Sequence, residues 1–242
     1  MLTELIVPDW PAPANVRALV TTRHGGVSAG SYASFNLGDH VGDDPAAIAE
    51  NRRLLRARLP AEPIWLKQVH GTCCVDAAKA ASGAEADAAF TRSPGVVCAV
   101  LTADCLPILL CDDRGTVVAA AHAGWRGLAA GVIESTVAAM EVPGERLLAW
   151  LGPAIGPRHF EVGGEVRDVL IARDPEAANA FVARPAGKWF CDIYRLAAQR
   201  LASLGVCRLA SADFCTVRDT GRFFSYRRDG ATGRMASLIW LD

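Results

Sequence analysis

The sequence predicts an α+β fold, a sandwich of mixed β-sheets with helices packed outside, in a single domain over residues 1–242. Three observations predict it. Short, mostly apolar runs bounded by turn residues read as strands buried on both faces. Amphipathic stretches with helical period lie between them. The two kinds intermix without the regular strand–helix alternation of a doubly wound sheet. No repeat or low-complexity linker divides the chain, and a content of 51% hydrophobic and 21% charged residues suits one sizeable core rather than disorder.

Taken in order, VRALVTT (16–22) reads as a strand entering the Gly-rich loop RHGGVSAGSY. Asp43-Asp44-Pro45 marks a helix start with Pro at the first helical position, and AAIAENRRLLRARL continues with the apolar period of a helix. Residues 63–69 read as a strand ending at His70. GVVCAVLT (95–102), PILLC (107–111) and TVVAAA (116–121) are the buried-strand runs. After His122, AGWRG and LAAGVIESTVAAM form a strand–turn–helix transition, whose helix start directs free backbone N–H groups towards the imidazole. LLAWL (147–151) is a further strand, EVRDVLIARD and DIYRLAAQRLASLG are helical, and Gly205 caps the second. The tail alternates strands and turns and closes on MASLIWL.

A formal net charge of −1 gives no electrostatic footprint for nucleic acid or an anionic membrane. The N-terminal MLTELIVPDWPAP lacks a basic n-region, and no uncharged stretch reaches the roughly 18 residues of a membrane span. A soluble, cytoplasmic protein is expected, with no sign of a particular oligomeric state. The 8 cysteines include no CxxC pair and are read as reduced thiols. Cys98 and Cys111 belong to core strands; Cys73 and Cys74 are read as packing residues, with a secondary ligand role as the alternative.

The chemistry-bearing candidates are His70 in WLKQVHG, Cys105 in LTADCLP and His122 in AAAHAGWRG. A thiolate with two imidazoles suits zinc or copper, and three protein ligands leave a coordination position open for water or substrate. Each candidate sits where a strand gives way to a turn, which fixes the backbone while presenting the side chain at a sheet rim. Their spacing matches no short metal signature, and a histidine alone at such a position is more often a hydrogen-bonded structural residue. Arg126, at the helix start after His122, supplies a bidentate anion donor beside free amides. Arg23 in the TTRHGG loop is the second such candidate, and an ordinary surface ion pair is the alternative for both. Gln68, two residues before His70, shares its face on an extended segment. Asn36 and His40 lie in a polar loop, as substrate contacts or turn stabilisers. Asp104 could orient Cys105, His159 reads as structural, and Phe223, Phe224 and Tyr226 could stack on a flat ligand or fill the core. Arg227, Arg228 and Asp229 read as a turn with its own salt bridges.

The segments TTRHGGVSAGSYASFNLGDHVGDDP, WLKQVHG, TADCLPILL, HAGWRG, GPAIGP with FEVG, and CT followed by RFFSYRRDGATGRMA resemble the YfiH-type laccase-domain family over nearly the whole chain. The resemblance implies a His-Cys-His metal set at His70, Cys105 and His122, which would double as the catalytic residues. It implies zinc, with copper as the alternative, and a purine nucleoside and phosphate as partners. The implied activity is phosphorolysis of adenosine, inosine, guanosine and methylthioadenosine, with adenosine deamination beside it. Two other readings stay open: a metal-free cysteine hydrolase using Cys105 and His122, since the family fold is similar to that of a toxin deamidase, and a copper-dependent polyphenol oxidase (laccase). Multicopper chemistry needs many histidines, and the chain has 5.

Overall fold

Apolar runs of small and β-branched residues drive the central strands, and the computed structural model, which describes residues 4–242, shows where they pair; the first three residues of the expected domain lie outside the described residues. The strands are β1 (Leu5–Ile6), β2 (Val16–Thr21), β3 (Cys74–Asp76), β4 (Ala88–Thr91), β5 (Cys98–Thr102), β6 (Leu106–Asp112), β7 (Val118–Ala123), β8 (Leu147–Leu151), β9 (Glu161–Val162), β10 (Phe181–Ala183), β11 (Trp189–Cys191), β12 (Arg208–Ser211) and β13 (Met235–Leu241). The helices are α1 (Pro45–Arg56), α2 (Trp125–Ala130), α3 (Val132–Met140), α4 (Gly164–Arg173), α5 (Ile193–Ser203) and the single turn α6 (Tyr226–Asp229).

A six-stranded sheet in the order β12-β8-β6-β7-β4-β3 is mixed: β12 with β8 and β3 with β4 are parallel, and the pairs between them antiparallel. An antiparallel four-stranded sheet, β1-β2-β13-β5, lies against it. The period-2 alternation of β6 explains the layering. Ile108 and Leu110 face the core under α3, α4 and α5, together with Ile133, Leu170 and Leu196. Leu109 and Cys111 face the opposite way, where Trp150 meets Val100 and Ile239 of the second sheet. The outer face of that sheet, through Leu101 and Leu238, is covered by Leu55 of α1 and by Phe35 and Leu37. The result is an α+β sandwich with helices outside, as expected from the sequence. Among the described residues no helix is long and apolar enough to cross a membrane.

Local signals account for the helix ends. Asp44 caps α1 by accepting from the Ala46 amide, with Pro45 following at the first position. Gly205 takes a left-handed φ of 81° just beyond α5. Two expectations need correction. Residues 63–69 form no strand: their backbone pairs only at single bridges, Ile64 with Cys98 of β5 and Lys67 with Glu85. His122 lies inside β7 rather than beyond it, and the helix after it breaks in two at Gly131, whose φ is 109°.

Candidate metal centre and active-site cavity

The register of β6 against β7 assembles the centre. Leu106 pairs with Ala123 and Pro107 with His122, so Cys105, just before β6, arrives opposite Gly124. His70 comes from the loop beyond residue 67. The ligating atoms of His70, Cys105 and His122 all lie within 4.8 Å of one another. Cys105 Sγ is 3.8 Å from His70 Nε2, and the two imidazoles meet edge to face with ring centroids 4.8 Å apart. A glycine is required behind them: a Cβ on Gly124 would stand 2.9 Å from His70 Cδ2 and 3.0 Å from Cys105 Sγ.

Asp87, fully buried just before β4, ties two of these segments together. Its carboxylate accepts from the amides of Val69, His70 and Gly71 at 3.1, 2.9 and 2.7 Å. Oδ1 also accepts from His122 Nδ1 at 2.8 Å, and the Asp87 carbonyl accepts from the His122 amide. One side chain thus fixes the turn carrying His70 and leaves His122 Nε2 free to ligate. Burial pushes the Asp87 carboxyl up, but His122 and the Gly71 and Val69 amides outweigh it and hold it below its ordinary value.

His70 and Asp104 both adopt left-handed backbone conformations, φ 60° and 86°. Each costs a non-glycine residue on the order of 1–3 kcal/mol, so the surroundings must hold them. Asp87 holds the first. Asp104 accepts from Thr216 Oγ1 at 2.5 Å and from the Arg227 amide at 2.6 Å, which ties Cys105 to two distant loops.

The thiol and the His122 imidazole stabilise one another's charged forms, which readies the thiolate and means that a metal must displace a proton from His122. Burial pushes the Cys105 thiol up, but the His122 imidazolium and hydrogen bonds from both imidazoles outweigh it and draw it down. Burial lowers His122, and the Cys105 thiolate with Asp87 more than reverses that. The donor set also fits zinc. Bonds of about 2.0–2.3 Å at tetrahedral angles set donors roughly 3.5 Å apart, close to the 3.8 Å separating Cys105 Sγ and His70 Nε2.

The three donors open on a cavity of about 540 Å³, a volume suited to a small organic ligand. Gln68, Asp104 and Arg126 also line it, as do His40, Phe160, Tyr226, Arg227 and Arg234. Gln68 reaches the cavity with its amide already spent, because Nε2 donates to the Leu101 carbonyl and Oε1 accepts from the Leu101 amide. Arg126 is exposed and stacks on Trp125, 4.5 Å from its ring. Arg23 lies outside the lining. It donates to the carbonyls of Ala33 and Thr220 and sits 4.9 Å over the Phe224 ring, clamping two loops. Asn36 is fully buried outside the lining, bonded to Gly38, Asp43 and the Arg234 amide. Phe223 and Phe224 are core residues at 0% exposure, whereas Tyr226 is 62% exposed at the cavity. His159 lies 3.3 Å from Cys215 Sγ. Arg228 pairs with Asp229 as expected, but Arg227, read as part of the same salt-bridged turn, instead donates to the carbonyls of His159 and Glu161 at the cavity.

Sequence reasoning missed Asp87, Phe160 and Arg234. Asp87 carried one signal, an acid inside the otherwise apolar run ADAAF. Arg234 lay in the quoted GRMA segment and Phe160 in the quoted FEVG segment, both without a role.

Residues 17–242 match the family model described as multi-copper polyphenol oxidoreductase laccase. The chain is 59% identical over 239 residues to purine nucleoside phosphorylase PA4543 of Pseudomonas aeruginosa, covering 98% of each protein. It is 54% identical over 243 residues to purine nucleoside phosphorylase YfiH of Escherichia coli, covering 99% of this chain and 100% of that one. Among solved structures, Neisseria meningitidis protein NMB0706 superposes with a TM-score of 0.96 at 53% identity, covering 99% of this chain and 100% of that one. YlmD from Geobacillus stearothermophilus gives 0.88 at 33% identity, covering 94% and 92%.

Proposed function

The chain belongs to the multi-copper polyphenol oxidoreductase laccase family, and from that premise we propose that it is a zinc-dependent purine nucleoside phosphorylase. Its substrates are adenosine, inosine, guanosine and methylthioadenosine, and it deaminates adenosine as a further activity. The cytoplasm, with reduced thiols, nucleosides and phosphate, is its place. One observation carries the reading: a thiolate and two imidazoles converge on a cavity lined by Arg126, Arg227 and Arg234, none paired with a carboxylate among the described residues. Its one lining acid, Asp104, already accepts from Thr216 and the Arg227 amide. Such a cavity attracts an anion, and phosphorolysis needs one. The names of the two bacterial relatives support the same reading.

Zinc held by His70, Cys105 and His122 would keep a net charge of about +1 and supply Lewis-acid polarisation of a bound oxygen. The chain's own residues do the rest. The arginines bind phosphate and hold it against C1′ of the ribose, where its oxygen displaces the purine to give free base and ribose 1-phosphate. Tyr226 and Phe160 offer ring faces to the base. Asp87 holds the His122 tautomer, and Gln68 braces the Leu101 backbone beside the centre. In deamination water replaces the amino group at C6 of adenosine, releasing ammonia.

A specific geometry favours a second reading. Cys105, His122 and Asp87 also form a thiol–imidazole–carboxylate series, as in a metal-free cysteine hydrolase. A copper oxidase is disfavoured, because the centre gathers only two of the chain's 5 histidines. Metal analysis with a nucleoside-plus-phosphate assay separates these readings. About one zinc per chain and phosphate-dependent base release, both lost in Cys105→Ala and His70→Ala, support the phosphorylase. Full activity in His70→Ala without metal overturns it in favour of the hydrolase.

A further inference from the structure

Three arginines line the cavity, but they are not equivalent. Arg126 stands exposed on Trp125 at the start of a six-residue helix. Arg227 is exposed and spends Nη1 on the carbonyls of His159 and Glu161. Arg234 is built in. Its backbone amide donates to Asn36 Oδ1 at 2.9 Å, and its Nη1 donates to the carbonyls of Thr232 and Gly233 at 2.9 and 3.0 Å. Its stem runs over Gly38, where a Cβ would stand 2.8 Å from Arg234 Cγ. Asn36, the post behind it, is fully buried and bonded in turn to Asp43.

Among the described residues no carboxylate contacts the Arg234 guanidinium: Asp104 and the Cys105 thiol act on it only through space. The carbonyl acceptors fix the direction of the guanidinium without neutralising it. Asp39, the carboxylate carried beside His40 at the cavity, is already engaged by Arg52 at 3.1 Å. Nε and Nη2 of Arg234 have no hydrogen-bond partner among the described residues, which leaves one edge of the planar fork for a bidentate acceptor. A half-buried cation with no acid in contact is costly unless a ligand completes it. Preorganisation of this kind serves a tetrahedral oxyanion better than an exposed, mobile arginine does.

We propose that Arg234 is the residue that anchors the anionic co-substrate, with Asn36 and Gly38 as its positioning residues and Arg126 as an outer contact. This rests on the phosphorylase reading above and assigns inorganic phosphate to a defined wall of its cavity. It also gives Asn36 a task one step back from the ligand.

The test is steady-state kinetics with inosine and inorganic phosphate on wild type, Arg234→Gln, Arg234→Lys and Arg126→Gln. Loss of charge-assisted hydrogen bonds raises the phosphate KM of Arg234→Gln about 10- to 100-fold, with the inosine KM within about twofold. Arg234→Lys falls between, and Arg126→Gln shifts the phosphate KM less than Arg234→Gln. A wild-type phosphate KM in Arg234→Gln overturns the assignment and leaves the phosphorylase reading intact. No phosphate-dependent base release by wild type overturns the reading itself. A second measurement needs no variant: phosphate protects Arg234 of the wild-type protein from phenylglyoxal, read by peptide mass spectrometry. Equal labelling of Arg234 with and without phosphate overturns the proposal whether or not the variants fold.

Discussion

Asp87 and His122 are joined twice, by a carboxylate-to-Nδ1 hydrogen bond of 2.8 Å and by a backbone hydrogen bond of 2.7 Å. The same carboxylate takes three successive amides of the turn that carries His70. A single buried acid therefore sets the relative position of two of the three donor side chains. In Asp87→Asn one carboxylate oxygen becomes a donor facing amides, and the imidazole loses its charged acceptor. Zinc affinity, read by competition with a chromogenic chelator, falls about 10- to 100-fold. Unchanged affinity would show that the turn and the imidazole hold themselves in place.

Gly124 separates space from backbone freedom. Its φ of −71° suits any residue, so Gly124→Ala introduces a methyl group and no backbone strain. That methyl would meet His70 Cδ2 at 2.9 Å and Cys105 Sγ at 3.0 Å. Overpacking costs about 1–3 kcal/mol, and borne by the ligands it lowers zinc affinity roughly tenfold or more. The melting temperature of the metal-free protein moves little, since without metal the exposed His70 ring can swing aside. A large drop in that melting temperature with intact metal affinity would contradict this placement.

How much of this was legible in the sequence depends on the range of the interaction. The strands β5, β6 and β7 could be read because unbroken apolar runs leave a chain few alternatives to burial on both faces. The three donors were legible as types of residue in distinctive segments, and their convergence entered through resemblance. Residues 63–69 misled because Trp65 and Leu66 are buried, as adjacent residues of a two-sided strand would be. Their backbone instead pairs only at isolated bridges, and Gln68 meets Leu101 through its side-chain amide. Asp87 could not be recognised locally: its task exists only once residues 69–71 and 122, far apart in the chain, come together. Phe223 and Phe224 look like Tyr226 in sequence, and only packing separates the two core rings from the cavity ring.

Acid stability is set partly at the far end of the β6–β7 hairpin. Asp112 is fully buried, and its carboxylate accepts from the Thr116 amide and hydroxyl and from the Val117 amide. Burial pushes its carboxyl up, but these hydrogen bonds outweigh that and hold it below its ordinary value. A folded-state value below the unfolded one means that the contribution is complete above the unfolded value of about 3.9 and is lost as pH falls through the folded one. Urea unfolding of the wild type therefore shows declining stability as pH drops below about 4. Asp112→Asn is less stable by about 1–3 kcal/mol at pH 7 and has a shallower acid slope. Equal slopes for the two proteins would remove Asp112 from the account.

Tyr226 tests the base-binding side of the cavity with little risk to the fold. It is 62% exposed at the start of a single helical turn, and its ring lies 5.9 Å from the Arg234 guanidinium. A purine seated there stacks on the ring, and loss of one stacked aromatic costs about 1–3 kcal/mol per base. Tyr226→Ala accordingly raises the inosine KM about 5- to 100-fold, while Tyr226→Phe, which keeps the ring, stays near wild type. The phosphate KM moves less than the inosine KM in Tyr226→Ala, the reverse of the pattern for Arg234→Gln. If both KM values of Tyr226→Ala match the wild type, the purine does not sit on this ring, and Phe160 or Trp125 must supply the apolar face.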